Sequence, residues 1–191
     1  PSAIAWTQTL TDDVSKVVEK NKSKFAGHEI KGKTVGVIGL GAIGVMVANA
    51  AECLGMKVLG YDPYLSLTSA HELSRTVTIY ESLDNLLPHC DYLTIHVPFM
   101  ENTKEMLDKE RFVLMKNNVC ILNFSRDQIV KEDDVLTALE EGSVRCYVTD
   151  FPNEKVIGNE HIICIPHLGA STHESEENCA FMAVRQLMDF L

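Results

Sequence analysis

The sequence lacks a hydrophobic run long enough to cross a membrane, and it lacks an excess of basic residues. No apolar stretch approaches the roughly 18–20 residues that a membrane-spanning helix needs. Lys and Arg together number 17 against 27 Asp and Glu, which gives a formal net charge of −10. Because a field of that sign repels phosphate backbones, we expect neither a membrane span nor general binding of nucleic acid.

The six cysteines include no C-x-x-C pair, and their spacing with the seven histidines does not match a zinc site. Cys120, Cys146 and Cys164 each lie in an apolar run, which favours buried thiols in a reducing compartment over disulfides. The sequence also opens without a secretory signal pattern. We therefore expect a cytoplasmic protein with no metal site.

The composition that remains is ordinary for a globular protein, with 191 residues, 46% apolar and 23% charged. The first thirty residues differ from the rest. A short helix is predicted over 11–20 with Thr11 or Asp12 as its cap, and a connection rich in Lys and Gly follows. We divide the chain into an N-terminal helix and connection (1–30), a central domain (31–170) and a C-terminal helix (171–191).

In the central domain, short apolar runs alternate with helical patterns. Strands that read as continuous apolar runs between helices imply a parallel sheet covered on both faces. About seven such strands predict an α/β, doubly wound, Rossmann-type dinucleotide-binding fold. Ser66 is expected to cap one helix, Pro88 to stop the next, and a capping box of Ser171 and Glu174 to begin the last. The strands are predicted over 35–38, 58–61, 77–80, 92–97, 119–123, 144–148 and 162–165, and the helices over 43–54, 66–73, 81–87, 108–115, 131–140 and 171–191.

A glycine-rich motif follows the first predicted strand and opens a helix. It is the G-x-G-x-x-G run from Gly39 through Leu40, Gly41, Ala42 and Ile43 to Gly44. Gly39 permits a tight turn, Gly41 lets the backbone approach a pyrophosphate, and Gly44 lets the helix pack close to the strand. The helix N-terminus then faces the anionic pyrophosphate. A glycine-rich turn without a ligand is the alternative interpretation.

Asp62 ends the second predicted strand, 18 residues after Gly44. A carboxylate at that point accepts hydrogen bonds from the hydroxyls of an adenosine ribose. It would repel a 2′-phosphate, and the residues that follow, Pro63 to Leu65, offer no cation for one. The pattern predicts NAD rather than NADP, although a methyltransferase could place an acid there to bind the ribose of its own cofactor.

Other polar residues follow the later strands, at the edge where an open parallel sheet binds its ligand. An arginine, two acids and a histidine fall on this rim. Each has an ordinary interpretation as a surface charge, a loop residue or a strand-end histidine, but their joint placement favours a site. The strand ends in question are Val97 with Pro98, Ser125 with Arg126, Asp150 to Glu154, and His167.

Three segments together resemble a known family: Pro166 to Thr172, Asn123 to Arg126, and the glycine run with Asp62 to Tyr64. From about residue 25 to 191 the chain resembles the D-isomer-specific 2-hydroxyacid dehydrogenases. The segment over 147–153 resembles a shortened version of the corresponding segment in one branch of that family. Members of this branch oxidise 3-phosphoglycerate at the entry to serine synthesis.

The resemblance implies an NAD-dependent oxidoreductase that acts on a D-2-hydroxy acid. His167 matches the family's acid/base, Arg126 its substrate-carboxylate arginine, and Glu154 the acid that pairs with the histidine. A histidine suits the transfer of the hydroxyl proton, and a guanidinium suits a two-point grip on a carboxylate. The residues expected to bind NAD are Gly39, Gly41, Ala42, Ile43, Gly44, Asp62, Val97, Pro98, Phe124, Ser125, Arg126, Asp150, His167, Leu168, Gly169 and Ala170.

The resemblance also implies a second, substrate-binding domain that this sequence does not contain, toward which the helix over 171–191 would return, and a homodimer. Asp127 stands where the family usually has Gly, and the loop over 150–154 is one residue shorter than the common pattern. Two alternatives stay open at this point. One is another 2-hydroxyacid dehydrogenase of glycerate or hydroxypyruvate type, and the other is a protein that binds NAD(H) as a sensor.

Overall fold

The computed structural model describes residues 3–191, which form seven strands and eight α-helices. The strands are β1 (Thr34–Ile38), β2 (Lys57–Tyr61), β3 (Thr78–Ile79), β4 (Tyr92–Ile95), β5 (Val119–Asn123), β6 (Val144–Thr149) and β7 (Ile162–Cys164). The helices are α1 (Ala3–Thr7), α2 (Val14–Asn21), α3 (Ala42–Cys53), α4 (Leu67–Glu72), α5 (Leu83–Leu86), α6 (Lys109–Leu114), α7 (Glu132–Glu140) and α8 (His173–Phe190).

All seven strands form one parallel sheet in the order β3-β2-β1-β4-β5-β6-β7. This confirms the predicted doubly wound fold. The strand order reverses between β1 and β4, since the chain moves outward from β1 in one direction and then in the other. The carboxyl ends of these two strands therefore border the crevice in which such sheets bind their ligands.

The core lies on both faces of the sheet, as expected for strands that are apolar on both sides. On one face Val37, Val45 and Ala48 belong to a buried cluster that joins β1 to α3. A larger cluster on the other face includes Leu93, Ile121 and further residues from α5, α6 and α7. These two clusters hold the strands in place and so fix the positions of the strand ends at the carboxyl edge of the sheet.

The structure corrects three helix boundaries. Helix α2 begins at Val14 after Asp13, so neither Thr11 nor Asp12 is its cap, and the Asp13 side chain forms no capping hydrogen bond. Helix α5 ends at Leu86, and Pro88 lies inside the 3-10 turn that follows. For α8 the cap is Thr172 rather than Ser171, since the Thr172 side chain accepts a hydrogen bond from Ser175 N at 3.1 Å. The predicted cap of α4 is confirmed, because the Ser66 side chain accepts a hydrogen bond from Ser69 N.

The elements at the two ends of the chain pack differently from the central domain. Within residues 3–191, helices α1, α2 and α8 contribute no buried residue. On α8 the large apolar side chains of Phe181, Leu187 and Met188 are exposed. None of the helices in this described part of the chain is long and apolar enough to span a membrane.

Candidate functional site

The glycine turn joins β1 to α3 at the reversal of the strand order. Gly39 has a φ of +90°, and a Cβ there would lie 2.6 Å from the carbonyl oxygen of His96. A Cβ on Gly44 would lie 1.9 Å from the Gly39 oxygen, so α3 can approach the turn this closely only because residue 44 is glycine. Gly41 has open space above it, which leaves its backbone accessible to a ligand.

Asp62 lies at the end of β2 and is bound to the same turn. Its Oδ2 accepts a hydrogen bond from Leu40 N, and its Oδ1 accepts one from Tyr64 N, both at 2.8 Å. These contacts hold the carboxylate beside the glycine turn. Each oxygen keeps lone-pair capacity for a further donor, such as a ribose hydroxyl.

The turn after β5 is held by the buried side chain of Asn123. Asn123 Nδ2 donates to the Arg126 carbonyl at 2.8 Å, and its Oδ1 accepts from Ser125 N at 3.2 Å. Ser125 Oγ donates to the carbonyl of Ile95, which ties the turn to the end of β4 at 2.7 Å. These bonds fix the backbone of Arg126, whose exposed side chain lines a cleft.

Asp150 and His167 form a close pair at the ends of β6 and β7. The distance from His167 Nδ1 to Asp150 Oδ2 is 2.7 Å, and the Phe151 ring lies 4.9 Å from the imidazole centre. Asp150 is 6% exposed, whereas about half of the His167 side chain is open to solvent. Because a carboxylate only accepts, Nδ1 carries the proton and Nε2 is left free. The second carboxylate oxygen, Asp150 Oδ1, is buried without a hydrogen-bond partner among residues 3–191.

Glu154, predicted to be the acid beside His167, lies elsewhere, and Asp150 occupies that position. The loop after β6 is folded onto α7. Asn153 hydrogen-bonds Glu132, the Lys155 ammonium lies 2.8 Å from Asp133, and Val156 is buried. These contacts direct the intervening Glu154 into an exposed turn.

The strand ends enclose a cleft of about 1090 Å³ at the carboxyl edge of the sheet. Most residues predicted from the later strand ends line it. The glycines of the turn, Ala42 and Asp62 are not among its lining residues, although Ile43 of the same motif is. The predicted residues that line the cleft are Ile43, Val97, Pro98, Phe124, Ser125, Arg126, Asp150, His167, Leu168, Gly169 and Ala170.

Four lining residues were not predicted: Val47, His96, Ile165 and Pro166. Val47 lies one helical turn after Ile43, so the periodicity of α3 was a signal that could have identified it. His96 Nε2 lies 2.9 Å from Thr94 Oγ1, and burial lowers the pKa of this imidazole. We therefore expect His96 to be neutral at pH 7.

The cleft is mostly apolar and contains few charged side chains. Apolar residues form most of its wall, and Arg126 is the only Lys or Arg among its described lining residues. In a protein of net charge −10, this guanidinium is the local cation that an anionic substrate needs. The cleft therefore combines a guanidinium, a histidine with a free Nε2, and a buried carboxylate oxygen without a donor among the described residues.

Comparison with known sequences agrees with this chemistry. Residues 3–174 match the family described as D-isomer specific 2-hydroxyacid dehydrogenase, NAD binding domain. The chain is 33% identical over 179 residues to D-3-phosphoglycerate dehydrogenase of Methanocaldococcus jannaschii, covering 91% of this chain and 34% of that protein. It is 35% identical over 188 residues to the enzyme of the same name from Synechocystis sp., covering 94% of this chain and 33% of that protein.

Solved structures share the fold. D-mandelate dehydrogenase of Rhodotorula graminis in its apo form superimposes with a TM-score of 0.74 and is 26% identical, over 86% of this chain and 49% of that one. The chain thus spans about a third of the length of its curated relatives and about half of this structural neighbour.

Proposed function

Because the chain belongs to the D-isomer-specific 2-hydroxyacid dehydrogenase family, of which it is an NAD-binding domain, we propose that the protein carrying it oxidises a D-2-hydroxy acid. The observation that carries the proposal is the Asp150–His167 pair, at 2.7 Å, in the same cleft as Arg126. The proposed substrate is D-3-phosphoglycerate, which would be converted to 3-phosphohydroxypyruvate. Two relatives named D-3-phosphoglycerate dehydrogenase, at 33% and 35% identity, support this choice of substrate.

The described residues fit NAD. Gly41 has space above it for a pyrophosphate, and the N-terminus of α3 points its free N–H groups toward the same place. Asp62 offers acceptors to the adenosine ribose. The orphan Oδ1 of Asp150 offers an acceptor to a carboxamide N–H, which would remove the cost of leaving a buried oxygen unpaired. Val97, Phe124 and the turn at Leu168 to Ala170 line the cleft and would hold a nicotinamide.

Each reacting group of the substrate then has a partner. Arg126 holds the substrate carboxylate with two parallel N–H donors. His167 Nε2 accepts the hydroxyl proton, while Asp150 holds the opposite nitrogen and stabilises the imidazolium that forms. Bound NAD supplies the nicotinamide carbon that receives the hydride.

NAD is the expected cofactor rather than NADP, because the Asp62 carboxylate beside the glycine turn would repel a 2′-phosphate on the adenosine ribose. The adjoining Pro63, Tyr64 and Leu65 provide no compensating cation. The proposed second domain would close over the cleft and supply the remaining substrate contacts, among them those to the phosphate.

The test is a spectrophotometric screen of the intact enzyme against a panel of 2-hydroxy acids, following NADH formation. The panel includes D-3-phosphoglycerate, D-glycerate, D-lactate and D-mandelate. We expect D-3-phosphoglycerate to give the highest kcat/KM. A clear preference for another member would overturn the proposed substrate, and inactivity with all of them would overturn the dehydrogenase proposal.

A variant tests the role of the histidine. His167→Ala should lower kcat by ~10²–10⁴-fold, the usual contribution of general acid–base catalysis. NADH affinity should change little, which separates loss of chemistry from loss of the site. His161→Ala is the matched control, because His161 is exposed outside the cleft. Near-normal turnover by His167→Ala would show that another group accepts the proton.

A further inference from the structure

Two cysteines of the central domain face each other across neighbouring strands. Cys120 of β5 is the register partner of Cys146 of β6. In-register residues of adjacent parallel strands point to the same face of the sheet, with their Cα atoms about 4.8 Å apart. That separation lies inside the range of about 4.4–6.8 Å that a disulfide accepts. Both thiols are free in the structure.

The ladder is irregular at this point, and the irregularity brings a cation to the pair. Val119 pairs with Val144 but Cys120 pairs with Cys146, so the register shifts past Arg145. The Arg145 guanidinium carbon lies 5.9 Å from the centre of the Tyr92 ring. Since Tyr92 is the register partner of Cys120 on β4, the guanidinium lies on the same face of the sheet as the two thiols.

We propose that Cys120 and Cys146 are a dithiol that hydroperoxides oxidise, in which Cys146 reacts first and Cys120 then closes a disulfide between β5 and β6. Cys146 is half-buried and can be reached from solvent, whereas Cys120 is only 8% exposed. The proposal does not depend on the proposed dehydrogenase activity.

The ionisation of the two thiols matches these roles. The Cys120 thiol lowers the pKa of Cys146 to about 7, with a smaller contribution from the Arg145 charge, while burial acts in the opposite direction. Contact with Cys146 and burial both raise the pKa of Cys120, which therefore stays protonated. The lowered pKa gives Cys146 a larger thiolate fraction at pH 7 than an ordinary cysteine has.

The chemistry balances in two steps with hydrogen peroxide as the oxidant. The Cys146 thiolate attacks one peroxide oxygen, so that an S–O bond forms, the O–O bond breaks and the departing hydroxide takes a proton to become water. The Cys120 sulfur, losing its proton, then attacks the sulfenic sulfur of Cys146. The S–S bond forms, the S–O bond breaks and a second water leaves. The two thiols lose two electrons in total, and the peroxide gains them.

The test oxidises the reduced intact protein with equimolar hydrogen peroxide at pH 7, blocks the remaining thiols with N-ethylmaleimide and maps the digest by mass spectrometry without reductant. We expect a peptide pair that joins Cys120 to Cys146 and separates on reduction. The same link should form in the Cys53→Ser/Cys179→Ser variant, which lacks two exposed cysteines. Complete oxidation of Cys146 without that peptide pair, or a dominant link between other cysteines, would overturn the proposal.

Two variants separate the roles of the thiols. Cys120→Ser keeps a hydroxyl donor beside Cys146 but removes the second sulfur, so Cys146 should stop at a sulfenic acid that dimedone traps. Cys146→Ser should abolish the link and leave Cys120 slow to oxidise. The rate at which iodoacetamide alkylates Cys146 should rise with pH and reach half its maximum near pH 7, since this pKa is lowered. Alkylation of Cys146 no faster than that of Cys53 at pH 7 would contradict the order of reaction.

Discussion

Replacement of Asp150 by Asn tests which acid supports His167. The hydrogen bond between Asp150 Oδ2 and His167 Nδ1 is 2.7 Å long, and the carboxylate is 6% exposed. A hydrogen bond to a charged group contributes about 1.5–3 kcal/mol. This contribution is largest when His167 has taken the substrate proton and become an imidazolium, so its loss acts on the transition state more than on the ground state.

At about 1.4 kcal/mol per tenfold in rate, Asp150→Asn should lower kcat by about 10- to 100-fold. The measurement is NADH formation by the intact enzyme at saturating NAD and substrate, from pH 5 to pH 9. The loss should appear in kcat across this pH range, with little change in the melting temperature. A fall in melting temperature large enough to account for the lost activity would indicate a merely structural role for Asp150.

Glu154→Gln is the matched control. Glu154 is an exposed carboxylate four residues further along the same loop, and its replacement should change kcat by less than about two-fold, as surface substitutions usually do. Thermal unfolding of both variants separates lost catalysis from lost stability. If Glu154→Gln costs more activity than Asp150→Asn and moves the pH profile, the assignment of Asp150 is refuted.

Three further predictions concern the cofactor and the assembly. Asp62→Asn should weaken NAD binding and narrow the preference for NAD over NADP, and tighter binding of NADPH than NADH by the unaltered protein in calorimetry would contradict the reasoning. Gly44→Ala places a Cβ 1.9 Å from the Gly39 oxygen and should destabilise the fold by about 3 kcal/mol. Gly41→Ala, which meets open space, should keep the melting temperature of the unaltered protein but weaken NADH binding. Equal melting temperatures for the two variants would refute this contrast. The isolated chain should fold, bind NADH and form a dimer in light scattering. It should turn over 3-phosphoglycerate negligibly, because in our proposal another domain positions the substrate. Robust turnover or a strict monomer would contradict these expectations.

The sheet was predictable because each strand leaves a local signal. The boundaries of β5, Val119–Asn123, agree with the prediction, since the strand consists of the apolar run from Val119 to Leu122 and the asparagine that follows it. The glycine turn was equally predictable, because the G-x-G-x-x-G spacing is local and the collision at Gly44 involves only the turn between one strand and one helix. Helix caps were less predictable: Ser171 and Thr172 are both good capping residues, and only the path of the chain decides that Thr172 accepts from Ser175.

The acid beside His167 illustrates what local sequence leaves undetermined. Asp150 and Glu154 both follow β6 and both carry a carboxylate, so the choice between them depends on how the intervening loop packs. That packing is set by Asn153 with Glu132 and by Lys155 with Asp133, contacts between residues about twenty positions apart. The sequence of the loop alone does not predict these contacts with α7. The strand end, which is fixed by the sheet, therefore places Asp150 beside His167, whereas the packing of the loop leaves Glu154 in an exposed turn.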